Sequence, residues 1–151
     1  MKIKVLTLTL FLCALTAEAF AVLPPQYYAQ YIEDSKIKAT AVVRSVKVIS
    51  HRNAVDHKKV TFSLIKSYGP EKAPETFTGT CSSVNKRWFE GPPMLGPTLY
   101  YEPEKNEKVY VTVKDNDGDI TSYTPLTTEL EKALNEDISS VKNGMGTVHY
   151  K

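Results

Sequence analysis

The stretch IKATAVVRSVKVIS, residues 37–50, determines which fold the chain can adopt. Its first half places apolar residues at every second position, the alternation of a half-buried β-strand; these residues are Ile37, Ala39, Ala41 and Val43. Val46 and Val48 continue the alternation in the opposite phase. One extra residue within 42–44 would reconcile the two phases, which is the pattern of a β-bulge that bends a strand. A long, bent first strand is what a small barrel needs, because that strand must join both sides of it.

Further segments with strand character follow this first strand. They are Val60–Tyr68, Glu75–Val84, Leu99–Glu102, Val109–Val113 and Ile120–Thr124. The polar segment from His51 to Lys59 is expected to be a loop, and Asp115–Asp119 is expected to be a tight hairpin turn. Gly79 interrupts the third strand, and glycine in a strand often marks a close approach or a barrel corner. The pattern therefore predicts an antiparallel sheet of five to six strands.

Both ends of the predicted sheet are flanked by helical patterns. Tyrosine and isoleucine recur at helical spacing from Tyr27 to Ile32, which predicts a short N-terminal helix through about Ser35. A second, amphipathic helix is predicted over about 126–142. Thr128 and Glu131 would form its capping box, and Asn143-Gly144 would close it.

The first twenty-one residues have the pattern of an export signal. Lys2 and Lys4 precede the apolar run Val5–Leu15, and Ala19-Phe20-Ala21 offers small residues at a cleavage site. The apolar run is shorter than the roughly 20 residues of a membrane span. We therefore expect a signal peptide over 1–21 and one domain over 22–151 that is periplasmic or secreted.

Charge and cysteine content narrow the range of functions and bonds that the sequence predicts. Without residues 1–21 the chain holds 17 basic and 16 acidic residues, a net charge of +1. That average gives no electrostatic case for binding nucleic acid or an anionic membrane, and no later segment predicts a membrane span. Cys13 lies inside the signal, so Cys81 is the one cysteine of the remaining chain and no intrachain disulfide can form.

Four segments together resemble the secreted OB-fold domains of the netrin-module and tissue-inhibitor-of-metalloproteinases type. They are Ala41–Val48, Val60–Lys66 running into Gly69, Gly79-Thr80-Cys81 and Leu95–Tyr101. The resemblance implies a small OB-like antiparallel barrel and a bias toward protein or ligand binding. The inhibitors of that family present a cysteine at the mature N-terminus. This chain has none near Val22, so protease inhibition does not carry over.

Three groups of residues are candidates for chemistry. Cys81 could be a nucleophile, although its phase with Phe77 equally predicts burial as a small apolar side chain. Asp115, Asp117 and Asp119 resemble the centre of a calcium loop, but Val113 and Thr124 stand where the first and last ligands belong. Two histidines and a carboxylate share one segment and could bind a metal or simply face water; they are His51, Asp56 and His57.

The segment from Asn85 to Tyr101 is the candidate contact surface. Arg, Trp and Tyr are over-represented where interfaces draw their energy, and Arg87, Trp88, Tyr100 and Tyr101 are the candidate ligand-binding residues. The alternative is that Trp88 and Phe89 close the open end of the barrel. The sequence thus predicts an exported, non-enzymatic binding module without a cofactor, for a protein, peptide or glycan of the cell envelope. A Cys81-dependent enzyme and a weak calcium-binding protein are the alternatives.

Overall fold

The computed structural model describes residues 23–86 and 97–150. The chain is mainly β, with two short helices. In chain order the elements are α1 (Pro25–Glu33), β1 (Ile37–Arg52), β2 (Val55–Ser67), β3 (Thr76–Val84), β4 (Lys108–Val113), β5 (Ile120–Pro125), α2 (Thr128–Glu136), a 3-10 turn (Ile138–Ser140), β6 (Val141–Asn143) and β7 (Val148–Tyr150). Among the described residues, no helix combines the length and the apolar character that crossing a membrane requires.

The first five strands form one antiparallel sheet in the order β3-β2-β1-β4-β5, and β6 pairs with β7 separately. The long β1 contacts β4 through its first residues and β2 along its whole length. Its register against β2 shifts between Val43 and Ser45, so Arg44 is the extra residue of a bulge. This confirms the bulge that the phase change in the sequence predicts. Two further shifts, at Thr40/Ala41 and Val48/Ser50, bend the hairpin again.

The prediction of a loop from His51 to Lys59 is wrong. β1 continues to Arg52 and β2 begins at Val55, so these strands join through the two residues Asn53 and Ala54. Asn53 takes a positive φ of 54°, which suits such a tight turn. The segment Leu99–Glu102 does not form a strand either, and only Tyr100 makes an isolated bridge, to Ser82.

The main core lies against one face of the sheet. Phe62 and Phe77 stack there with ring centroids 5.1 Å apart. The buried valines of β4, which are Val109, Val111 and Val113, pack on the same side. β4 is buried on its other side as well, because Tyr110 packs with Leu130 and Leu134 of α2 and with Val148. α2 therefore covers the outer side of β4 and stabilises the sheet through a second, smaller core.

The predicted C-terminal helix over 126–142 is too long. α2 ends at Glu136, and Thr127 rather than Thr128 caps it by accepting a hydrogen bond from the Leu130 backbone N–H. Asp137 then accepts a hydrogen bond from the Ser139 backbone N–H and starts the 3-10 turn. Asn143-Gly144 does not close a helix but belongs to the β6–β7 hairpin, where Gly144 packs against the ring of His149.

The two edges of the sheet, β3 and β5, approach each other without forming a ladder. Thr80 and Asp119 make one isolated parallel bridge, in which the Thr80 backbone N–H donates to the Gly118 carbonyl over 2.9 Å. Ser82 makes a second bridge to Tyr100, and its carbonyl accepts from the Tyr101 N–H over 2.9 Å. The described sheet is thus not closed, and two short segments are fastened to the edge of β3.

Candidate functional site

A cleft of about 960 Å³ runs along the edge of β3. α1 contributes Tyr28 and Tyr31 to it, and β3 contributes the segment 80–82. Four residues that follow in the chain also line it, and they are Pro97, Thr98, Leu99 and Tyr101. Its volume is in the range of pockets that hold small ligands. The cleft exists because β3 and β5 are joined at single bridges rather than by a continuous ladder.

Helix α1 fixes the aromatic wall of the cleft. It begins at Pro25, whose fixed φ suits the first helical position. Tyr28 and Ile32 are buried against the protein, and the Tyr28 hydroxyl donates a hydrogen bond to the Pro97 carbonyl over 3.0 Å. Tyr31, one turn further on, lines the cleft with 53 % of its surface exposed. One face of α1 therefore holds the helix in place and leaves an aromatic ring free for contacts.

A chain of hydroxyl groups reaches the cleft at Thr121, the member of the chain that lines it. Thr121 lies at a register shift between β4 and β5, so its side chain departs from the regular alternation. Its hydroxyl lies 2.6 Å from those of Ser35 and Thr112, and Thr112 continues the chain to Ser122 over 2.8 Å. The Tyr101 hydroxyl donates to the Thr121 carbonyl over 3.1 Å. These bonds fix Thr121 and Tyr101 in position before a ligand arrives.

The far end of the cleft is formed where β2 pairs with β3. His57 and Ser82 are direct cross-strand neighbours, and the Ser82 hydroxyl lies 3.2 Å from His57 Nδ1. Both side chains line the cleft together with Ile49 and Ser50 of β1. This end offers hydroxyl and imidazole groups beside an apolar side chain, which suits a ligand with mixed polar and apolar character.

Cys81 lies on β3 between Thr80 and Ser82, the two residues that form isolated bridges. It lines the cleft and also packs against the main core. Burial raises the pKa of its thiol to about 11, partly offset by the nearby Lys58 ammonium. Lys58 itself pairs with Glu102 at 3.5 Å. Because the thiolate is the reactive form, a pKa this high disfavours a nucleophilic role at neutral pH.

The Asp115–Asp119 turn fastens the edge of β3 through its side chains. Asp117 accepts a hydrogen bond from the Thr78 hydroxyl and pairs with Lys59 at 2.7 Å. Asp119 accepts from the Thr80 hydroxyl over 2.8 Å. The Lys59 ammonium and the Thr78 hydroxyl hold the pKa of Asp117 below its usual value. Of the carboxylates that resemble a calcium loop, Asp117 is thus engaged with Lys59 of β2 and Thr78 of β3, and Asp119 is engaged with Thr80 of β3.

The histidine group near the β1–β2 turn is divided between two sites. His51 Nδ1 and Asp56 Oδ1 lie 2.6 Å apart, and Asn85 donates to the same carboxylate. The hydrogen bond with His51 lowers the pKa of Asp56. His57 contacts Ser82 instead. Within 23–86 and 97–150, no three His, Cys, Asp or Glu side chains come together as metal ligands.

The predicted contact surface is only partly described. Tyr101 lines the cleft but is largely buried, and Tyr100 bridges to Ser82 without lining the cleft. Arg87 and Trp88 lie outside the described residues. The sequence predicts a helix from the spacing of its tyrosines but does not predict the cleft, in which Tyr31 is exposed. The sequence signal for this exposure was the density of tyrosine on one short helix. Tyr27, Tyr28 and Tyr31 point in different directions from its axis, so they cannot all be buried.

Comparison of the chain with protein-family models, with curated proteins and with solved structures finds no match.

Proposed function

We propose that this protein is an exported, non-enzymatic binding module that holds an extended peptide or glycan in the cleft along β3. The observation that carries the proposal is the cleft itself, about 960 Å³ in volume. Aromatic rings form one wall, with Tyr31 half exposed, and residues with hydroxyl groups, among them Thr80, Ser82 and Thr121, line the cleft as well. A concave surface that combines apolar rings with a few fixed polar groups is the usual form of a ligand site.

The fold supports this function as a partly open, OB-like barrel. The edge strands of the sheet meet at Thr80–Asp119, which is the contact that a five-stranded barrel needs for closure. OB-folds bind oligosaccharides and other extended polymers on the face and loops around their second and third strands. Here β2 and β3 supply His57 and the segment 80–82 to the cleft. The likeness to netrin-type domains is part of the same proposal.

An enzyme that acts through Cys81 is a weaker candidate. The raised thiol pKa keeps the side chain protonated at neutral pH. The imidazole that is hydrogen-bonded in the cleft faces the hydroxyl of Ser82. A nucleophilic cysteine needs a base or a positive charge that lowers its pKa. Calcium binding by the Asp115–Asp119 turn is weaker for a different reason, because Asp117 already pairs with Lys59 and Thr78, and Asp119 already accepts a hydrogen bond from Thr80.

The test is a binding selection with two defined probes followed by a matched pair of variants. The probes are a displayed library of linear peptides and an array of cell-envelope glycans. The affinity of each selected binder is then measured by calorimetry. Tyr31→Ala removes a half-exposed ring from the cleft. Tyr27→Ala removes a ring that is 48 % exposed on the same helix but does not line the cleft.

We expect Tyr31→Ala to weaken binding by about tenfold or more, since loss of an aromatic contact at a ligand site costs about 1–3 kcal/mol. Tyr27→Ala should keep the wild-type affinity. Equal losses in both variants, or no binder from either probe, would contradict the proposal. Circular dichroism on both variants separates a lost contact from a lost helix.

A further inference from the structure

Opposite charges are segregated along the chain, and the near-neutral total conceals this. Residues 36–66, which contain β1 and nearly all of β2, hold eight Lys or Arg and one acid, Asp56, a net charge of +7. Residues 102–137 hold ten acids and four Lys, a net charge of −6. The sequence therefore has a basic hairpin and an acidic half, which the structure joins through the salt bridges Lys58–Glu102 and Lys59–Asp117. The basic residues that make no salt bridge among the described residues are the ones available to attract an anionic partner.

In the distal part of the β1–β2 hairpin, residues 44–59, no residue is fully buried, and Val46 packs partly against the main core. From Arg44 to Arg52 every residue of β1 except Val46 is exposed. A strand that is exposed on both faces has no protein layer over either of them. We call this part of the hairpin the basic ribbon.

The pairing register gathers cations on the outer side of the basic ribbon. Val46 lies opposite the buried Val60, so the next pair, Lys47 and Lys59, faces outward. Like charges directly opposite each other destabilise an antiparallel pair. The salt bridge between Lys59 and Asp117 relieves part of that cost. Arg52, opposite Val55, lies on the same outer side. Among the described residues neither Lys47 nor Arg52 makes a salt bridge.

An exposed apolar residue accompanies these cations. Ile49 occupies the register shift between Val48 and Ser50 and is 53 % exposed. Together with Ser50 and His57 it lines one end of the cleft, which places it on the outer side of the ribbon. A surface that combines unpaired cations with an exposed aliphatic side chain is the combination that binds anionic bilayers, where electrostatic attraction and apolar burial add.

We propose that the outer side of the basic ribbon docks on an anionic phospholipid surface. Lys47 and Arg52 face the lipid phosphates, and Ile49 is buried at the headgroup layer. Of the acidic half, residues 102–137, Glu102 and Asp117 pair with Lys58 and Lys59 of the ribbon, so the attraction comes from the ribbon cations that make no salt bridge among the described residues. Lys47 and Arg52 do not line the cleft, whereas Ile49 lies at one end of it, so variants of the two cations test lipid binding separately from the cleft ligand.

The test is co-sedimentation of the purified protein with vesicles. One set of vesicles contains phosphatidylcholine with phosphatidylglycerol, and the other contains phosphatidylcholine alone. We expect binding to the anionic set only, with an affinity that falls as ionic strength rises toward about 0.15 M. Lys47→Gln/Arg52→Gln should weaken partitioning about 30-fold, since each basic residue near an anionic surface contributes about fivefold, or about 1 kcal/mol. Ile49→Thr should weaken it several-fold.

The matched control is Lys105→Gln/Lys108→Gln, which removes the same charge from two exposed lysines of the acidic half. It should bind anionic vesicles within about twofold of the wild type, because it leaves the ribbon intact. Equal losses in both double variants would overturn the proposal, since binding would then follow total charge. So would equal binding to both vesicle sets, no binding by the folded wild type, or salt-sensitive binding to an oligonucleotide without binding to vesicles. A selected cleft ligand that still binds Lys47→Gln/Arg52→Gln would separate this result from the function of the cleft.

Discussion

Gly79 of β3 packs directly against Ile120 of β5. A Cβ atom placed on Gly79 would lie 2.7 Å from Cγ1 of Ile120 and 3.3 Å from Cγ1 of Val113. The absence of a side chain at this position therefore allows β3 to approach the β4–β5 hairpin. The next residue, Thr80, makes the bridge to Asp119. The close approach that a strand glycine suggests in the sequence is confirmed here, and it sets the width of the cleft at this end.

Gly79→Ala should destabilise the protein by about 1–3 kcal/mol, because an added methyl group in a well-packed core forces its neighbours to move. Urea denaturation followed by circular dichroism measures this. The matched experiment is a double-mutant cycle with Ile120→Ala, which removes the side-chain atoms nearest the new methyl group. The combined variant should lose less stability than the sum of the two single variants. Strict additivity would show that the two residues are not in contact.

Tyr28→Phe tests the attachment of α1 to the segment that follows the undescribed residues. The variant loses the hydrogen bond from the Tyr28 hydroxyl to the Pro97 carbonyl and keeps the buried ring. The expected loss is about 0.5–1.5 kcal/mol of unfolding free energy. Tyr27→Phe is the control, because Tyr27 is half exposed on the same helix. Equal stability of the two variants would mean that the hydrogen bond does not stabilise the fold.

The sequence predicted the sheet wherever strand alternation coincides with burial. Ala39, Ala41 and Val43 are fully buried, and the change of phase beyond them corresponds to the bulge at Arg44. The same method failed for His51–Lys59, because a ribbon that is not fully buried has no apolar alternation to detect. Polar composition there reflects the lack of a fully buried face, because residues 51–53 are exposed and residues 54–59 are only partly buried, and a strand and a loop can share this composition.

The predicted C-terminal end of α2 was wrong because two local signals competed. Asn143-Gly144 has the composition of a helix end, but Asp137 accepts a hydrogen bond from Ser139 and breaks the helical path six residues earlier. The apolar residue Val141 then faces the core from a strand rather than from a helix. Apolar spacing could not distinguish these cases, since a single residue fits either period.

The cleft could be predicted only in part, because it is made by residues far apart in the chain. Tyr31, Cys81 and Thr121 meet across three elements, and no spacing in the sequence encodes that meeting. Tyr101 was among the predicted contact residues and does line the cleft, but mainly as a buried wall. The net charge of the whole chain did not indicate the positive charge of the basic ribbon, since that positive charge cancels against the negative charge of the acidic half.

Asp117→Asn should change how stability depends on pH. The pKa of Asp117 is lowered in the folded protein by Lys59 and Thr78. A carboxyl with a lowered pKa stabilises the fold above its ordinary pKa, and that stabilisation disappears as the pH falls through the folded value. The variant should therefore unfold at a lower urea concentration than the wild type at pH 7. The two proteins should converge well below pH 4, where the aspartate is protonated.

Asn is well suited to position 117, because the residue has a positive φ of 68° that Asn tolerates. The change therefore removes the charge without straining the turn. Asp115→Asn is the matched control, since it removes one carboxylate from the same turn at a residue without a salt bridge among the described residues. A difference between Asp117→Asn and the wild type that persists unchanged at pH 2 would exclude the pairing with Lys59 as its cause.

Cys81 provides a chemical measure of the environment at the cleft. With a thiol pKa of about 11, roughly one molecule in a thousand carries the thiolate at pH 8. Alkylation by iodoacetamide should therefore be slow in the folded protein and should accelerate about tenfold for each pH unit up to about pH 10. In urea the same thiol should react about a hundredfold faster at pH 8, because its pKa returns to about 8.5. Mass spectrometry of time points measures both rates. Rapid alkylation of the folded protein at pH 7 would show a stabilised thiolate, which would contradict the protonated, partly buried thiol on which the case against a cysteine enzyme rests.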